Sequence, residues 1–108
     1  VTAALATLSA GLFAPALGEA FALRGPDGRT LAVTLARCVE HPRSTMPGSA
    51  RTAFDLVLTC PADAAEGFPD GDCVLSHDAL GEFGPLYAGR ILPVGFPPGS
   101  AAYQVIFI

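Results

Sequence analysis

From Glu19 onward the hydrophobic positions of this chain recur with a period of two. Phe21 and Leu23 alternate with Ala20 and Ala22. Pro26-Asp27-Gly28-Arg29 is a strong turn. Leu31, Val33, Leu35, Arg37 and Val39 then alternate with Ala32, Thr34, Ala36 and Cys38. Successive strand side chains point to opposite faces, so this pattern predicts a first hairpin. Residues 41–50 read as a loop, rich in Pro, Ser and Gly. Phe54, Leu56, Leu58 and Cys60 mark the inner face of a third strand, with Asp55 and Thr59 pointing the other way. Pro61 ends it. A second loop over residues 62–69 holds Asp63 and Glu66 in solvent. A fourth strand is expected over residues 72–77, then a turn at Ala79-Leu80-Gly81. A fifth spans residues 83–94, bent near Pro85 or Gly89. After Pro97-Pro98-Gly99 a sixth runs over residues 101–108.

Before Glu19 the pattern changes. Thr7 or Ser9 is placed to cap a short helix over residues 9–17, with Gly18 as its stop. Leu8, Leu12 and Phe13 would share its apolar face. Residues 1–8 form a loose or docking tail, and residues 19–108 form the β-domain. The expected fold is all-β: about six antiparallel strands in a small barrel or sandwich, with one short N-terminal helix. Its core should hold Phe21, Leu23, Leu31, Val33, Leu35, Phe54, Leu56, Leu58, Leu75, Tyr103, Val105 and Phe107.

Composition sharpens this in three ways. The 108 residues make one domain with one core. Only 15% of them are charged, against about 25% in an average soluble domain. That deficit points either to surface covered by another copy or partner, or to compositional drift, since lysine and asparagine are absent. The net charge is −4, and the arginines at 24, 29, 37, 43, 51 and 90 are scattered. Without a basic patch, neither nucleic acid nor an anionic membrane surface is an expected partner. The apolar residues 1–21 lack a positive leader and are broken by Gly11, Pro15 and Gly18, so neither a signal peptide nor a membrane span is expected. A start at Val1 fits loss of an initiator methionine or trimming. The default location is the cytoplasm, with an exported assembly as the other possibility.

The candidate chemistry is thin. Cys38, Cys60 and Cys73 lie far apart with no C-x-x-C, which is neither a disulfide framework nor a zinc pattern. Ser76-His77-Asp78 contains the residue types of a hydrolytic triad, but strand neighbours face apart. His77 is better read, with Gly81, as a fixture of the following turn. His41, beside Glu40 and Pro42, would need His77 and a third ligand to hold a metal. Asp63, Glu66, Asp70 and Asp72 around Phe68 do not have calcium-loop spacing. No phosphate-cradling glycine loop is present. Catalytic, cofactor-binding and metal residues are therefore all left unassigned, and no cofactor is expected.

Three landmarks carry a family resemblance. The first is Leu12-Phe13-Ala14-Pro15-Ala16-Leu17-Gly18-Glu19-Ala20-Phe21. The second is Gly71-x-x-Val74-Leu75-x-His77-x-x-Leu80-Gly81, continued by Ile91-Leu92-Pro93-Val94-Gly95. The third is the terminal Tyr103-x-x-Ile106-Phe107-Ile108. Together they resemble the small bacterial proteins grouped as domain of unknown function 6916. Gln104 and Ile108 depart from the more polar ending common there. The resemblance implies a small β-fold and association with phage-tail or collar proteins. It brings no catalytic residues.

The last strand has apolar residues on both faces, with Tyr103, Val105 and Phe107 on one and Ile106 and Ile108 on the other. A half-exposed antiparallel strand normally has a polar outer face. The tail is apolar too. Leu5, Leu8, Ile106 and Ile108 are therefore the expected interface residues, unless the short helix covers the outer face of the last strand. The expected function is a non-catalytic structural or interaction module, a homo-oligomer or part of a larger assembly. The alternative is a small barrel that binds a small molecule or peptide.

Overall fold

The computed structural model describes residues 2–3, 8–49 and 51–108. Its elements are β1 (Thr2–Ala3), α1 (Ala10–Phe13), β2 (Ala20–Arg24), β3 (Thr30–Glu40), β4 (Phe54–Pro61), β5 (Gly71–His77), β6 (Gly81–Ile91) and β7 (Ser100–Phe107). β2 through β7 pair antiparallel in the order β2-β3-β4-β7-β6-β5, and β5 returns to β2. The six strands expected from the period-two pattern thus close into a small barrel, with a short helix before them. β1 adds two residues parallel to β6, Thr2 opposite Glu82 and Ala3 opposite Phe83.

Closure works because the inward positions are apolar. Every residue expected in the core is buried, Leu23, Leu35, Leu58, Leu75 and Tyr103 completely so. Two bulges bend the wall. Leu35 faces Leu58 but Arg37 faces Val57, which leaves Ala36 as an extra residue in β3. One added residue reverses which side chains point inward. The alternation read along the sequence runs Val39 in phase with Leu35; beyond the bulge Val39 is exposed and Cys38 turns in against the core. The Cys38 thiol donates to the Ala10 carbonyl at 3.6 Å. In β6 the extra residue falls at Gly84–Pro85, since Cys73 faces Leu86 and Leu75 faces Phe83. A Cβ at Gly84 would meet the Cys73 carbonyl oxygen at 2.9 Å, so glycine is what lets the strands approach there. β6 ends at Ile91 rather than Val94, where the chain turns with a Val94 N–H to Leu92 carbonyl bond of 2.9 Å.

The helix is shorter than residues 9–17. α1 gives way to a 3-10 turn over Ala14–Ala16. Pro15 has no N–H for the α-helical ladder, and the chain tightens around it. Ser9 sits at the N-cap, yet its side chain makes no capping bond. Leu12 is exposed, while Ala10, Phe13 and Ala16 are buried. The helix does not cover the outer face of β7. It plugs one mouth of the barrel, with the Phe13 ring 6.1, 5.1 and 6.1 Å from Phe54, Phe83 and Phe107.

The opposite mouth is plugged by the loop between β4 and β5. Its Phe68 meets Tyr103 edge-on at 5.6 Å. Arg29 holds this loop, donating to the Glu66 carbonyl at 2.7 Å and the Ala64 carbonyl at 2.6 Å, with its guanidinium over the Phe68 ring.

The Phe13 plug gives a test of closure. Phe13→Ala should lose about 3–5 kcal/mol in urea unfolding, because it opens a cavity among three rings. Leu12→Ala, one residue away on the exposed side, should change stability by less than about 0.5 kcal/mol. Similar losses for the two would mean that α1 does not close the barrel.

Candidate functional site

The two histidines lie in separate places, each beside its own carboxylate. His77 ends β5 with its side chain 10% exposed. Its Nδ1 accepts from the backbone N–H groups of Ala79 at 3.1 Å and Leu80 at 3.2 Å. An accepting Nδ1 is unprotonated, so the ring proton sits on Nε2 and is donated to Glu19 Oε1 at 2.7 Å. Gly81, opposite His77 in the ladder, has φ 94°, a conformation that favours glycine. Ser76 directs its hydroxyl at the Ala22 carbonyl, 3.5 Å away, and Asp78 is exposed. The three triad residue types in tandem therefore do not converge on one another.

His41 follows the C-terminal end of β3, at the same end of the barrel as His77 but across β2 from it. Its N–H donates to the Ala53 carbonyl at 2.6 Å, and its carbonyl accepts from Ser44 N–H and the Thr45 hydroxyl. These bonds fold the 42–53 loop back on β4. The ring then meets Asp55, whose Oδ2 lies 3.1 Å from His41 Nε2 and accepts from Gln104 Nε2 at 2.8 Å. Asp55 itself is only 9% exposed, and its Oδ1 is buried with no hydrogen-bond partner. In the ladder Asp55 lies between Val39 and Ile106.

A cleft of about 370 Å³ opens here, lined by His41, Ser44, Ala53, Phe54, Asp55, Ile106, Phe107 and Ile108. A smaller hollow of about 190 Å³ lies on the other side of Ile106, between Tyr87, Ile91 and Gln104. On β6, β7 and the segments just beyond them several large apolar side chains are exposed: Tyr87 at 61%, Leu92 at 81%, Val94 at 75%, Ile106 at 64% and Ile108 at 67%. Of the residues expected at an interface, Ile106 and Ile108 belong to this set. Leu8 does not, being 2% exposed within the barrel's own core. Leu5 lies outside the described residues.

The remaining candidates are dispersed. Cys38, Cys60 and Cys73 are free thiols. Burial pushes all three above the ordinary thiol range. The Tyr103 hydroxyl is buried near the Arg90 guanidinium but forms no hydrogen bond of good geometry. Burial raises its pKa, and the nearby Arg90 charge partly opposes the shift. Asp63, Glu66, Asp70 and Asp72 are all exposed. Asp70 accepts the Arg90 N–H at 3.2 Å, and Asp63 accepts from the N–H of Ala64. Among the described residues no three of His, Cys, Asp and Glu gather as a metal site, and no helix is long and apolar enough to cross a membrane.

The His41–Asp55–Gln104 grouping is absent from the sequence reading. It joins three distant segments, which the β3–β4 and β4–β7 registers bring together. One signal was available: Asp55 is the lone charge in the apolar run from Phe54 to Leu58.

These features define a small closed β-barrel with both mouths filled and a cleft on the outside wall. The chain matches the family described as Domain of unknown function (DUF6916) over residues 8–107, and it belongs to that family. No curated protein and no solved structure matches it.

Two measurements probe these groups. His77→Ala removes the acceptor of two turn N–H groups and should cost about 1–2 kcal/mol in urea unfolding; no loss would mean the turn holds without it. The thiols give a pH dependence. Unfolded cysteines ionise near their ordinary value of about 8.5, whereas the folded ones hold their protons to higher pH. Their contribution is complete below that value and is lost as pH rises toward the folded pKa. The urea midpoint should therefore be level up to about pH 8 and fall above about pH 9. Replacing all three cysteines by alanine should flatten the fall. A midpoint that rises across this range contradicts the burial.

Proposed function

We propose that this domain is a non-catalytic structural module that packs against copies of itself through the outer wall of β6 and β7, within a larger bacterial assembly of the phage-tail kind. The observation that carries the reading is the exposed set of Tyr87, Leu92, Val94, Ile106 and Ile108. An isolated domain seldom leaves so many large apolar side chains exposed on one pair of strands and their ends, and exposed apolar patches mark interaction sites. The closed barrel favours association through a face over strand addition at a sheet edge. The low fraction of charged residues points the same way. The phage-tail context comes from the family resemblance alone.

A second reading, a small barrel that binds a small molecule or peptide, is favoured by one feature, the cleft at Asp55. The site lies on the wall, because Phe13 and Phe68 occupy the mouths.

Light scattering decides the assembly reading. The intact chain should form a discrete oligomer or a fibre. Ile106→Ser with Ile108→Ser should reduce it to monomer, with the melting temperature held within a few degrees because both side chains are already exposed. An intact chain that stays monomeric at high concentration removes self-assembly.

A further inference from the structure

We infer that the cleft between Ile106 and Ile108 is a binding site for an alkylguanidinium, with Asp55 as its anchor. This goes beyond self-packing and competes with it, because both use Ile106 and Ile108. The argument starts from the valence of one carboxylate. An ionised carboxylate accepts through about four lone-pair positions on two oxygens. In Asp55 both donors, Gln104 Nε2 and His41 Nε2, fall on Oδ2. Oδ1 has neither a protein donor nor exposure to water. A buried polar atom left in that state is costly unless a partner completes it. Arg51, whose guanidinium lies over the Phe54 and Phe107 rings and donates to the Ile108 carbonyl, makes no hydrogen bond to Oδ1. Arg37, on the neighbouring row of the outer wall, lies over Phe96 instead, 5.1 Å from the ring centroid.

The surroundings select the guest. The cleft that Asp55 lines measures about 370 Å³, within the range of about 300–1,000 Å³ for small-molecule sites. Its other walls are mostly apolar: Ala53, Phe54, Ile106, Phe107 and Ile108. A floor carboxylate with apolar walls fits a cationic head on a hydrocarbon stem. Guanidinium suits it better than ammonium. It sheds water more readily, and its planar fork of N–H donors can reach a carboxylate oxygen while the stem packs on the isoleucines. His41 is the adjustable part of the wall: its side chain is 43% exposed, against 12% for Asp55. Oδ1 is itself covered, so the guest must displace a neighbour to reach it, while the Gln104 bond to Oδ2 keeps the carboxylate oriented. The head group is that of an arginine side chain on a partner protein or of a free small guanidine, and these two share one chemistry.

The test uses the intact chain and n-butylguanidinium, followed by amide and imidazole resonances. Saturable shifts are expected at His41, Asp55, Ile106 and Ile108. The neutral isostere n-butylurea should bind at least about tenfold more weakly, and butyrate should not bind. Asp55→Asn should lose about tenfold or more in affinity. Blocked arginine, with acetyl and methylamide ends, separates the sources: tighter binding than n-butylguanidinium indicates a protein-borne side chain, weaker binding a free guanidine. The absence of saturable shifts, equal binding of n-butylurea, or unchanged affinity in Asp55→Asn overturns the site. The comparison of cation with urea on the unsubstituted chain stands even where Asp55→Asn fails to fold. The outcome is separable from self-packing. A monomer that binds the cation keeps the cleft and loses the assembly; an assembly dissolved by the isoleucine substitutions that ignores the cation does the reverse.

Discussion

The barrel depends on two short seams of three pairs each, β2–β5 and β6–β7. β6 and β7 pair through only Gly89 with Gln104, Arg90 with Tyr103 and Ile91 with Ala102. Without these pairs the remaining ladder would be an open sheet with two unpaired edges. The β6–β7 seam mixes small residues, Gly89 and the buried Ala102, with large ones, Arg90, Ile91 and the buried Tyr103, and is flanked by the buried Ala88 and Ala101. Small side chains let the walls meet while larger ones fill the centre. Narrow closure in turn makes the mouths small enough for a single phenyl ring each. That is why a helix of four residues and one loop aromatic suffice as lids.

The wall is smooth inside and uneven outside, and the unevenness has a local origin. The bulge at Ala36 reverses the phase of β3, so Cys38 enters the core and Val39 leaves it. This sets Val39 beside Asp55 on the outer wall, with Ile106 on the other flank. A carboxylate between two aliphatic neighbours loses most of its water. The side chains of Gln104 and His41 replace part of that hydration, and they do so on one oxygen only. The polar grouping is thus a product of strand register, and the core has no share in making it.

How much of this was legible in the sequence follows from the range of each interaction. Period-two runs of residues such as Leu31, Val33 and Leu35 report local geometry, and they located the strands and the core. Proline and glycine located the turns. Phe68 was read only as part of a loop, because an isolated aromatic between Gly67 and Pro69 gives no sign of which ring it will meet. Leu8 was placed in a tail for the same reason: its contacts come from distant strands. The bulge at Ala36 was invisible because alanine fits either face of a strand. Asp55 stood out as a charge in an apolar run, but its partners lie 14 residues before it and 49 after it. Pairings at such separations depend on the assembled register.

Arg51 adds a consequence of a different kind. Its guanidinium donates to the Leu8 carbonyl through Nη1 at 3.0 Å, and to the Ile108 carbonyl through Nε at 3.1 Å and Nη2 at 3.0 Å. The place where the chain enters its helix and the place where it leaves its last strand are therefore neighbours, held by one side chain. That side chain latches the approach to α1 to the end of β7, so the lid over one mouth and the last strand of the wall are fastened together rather than separately.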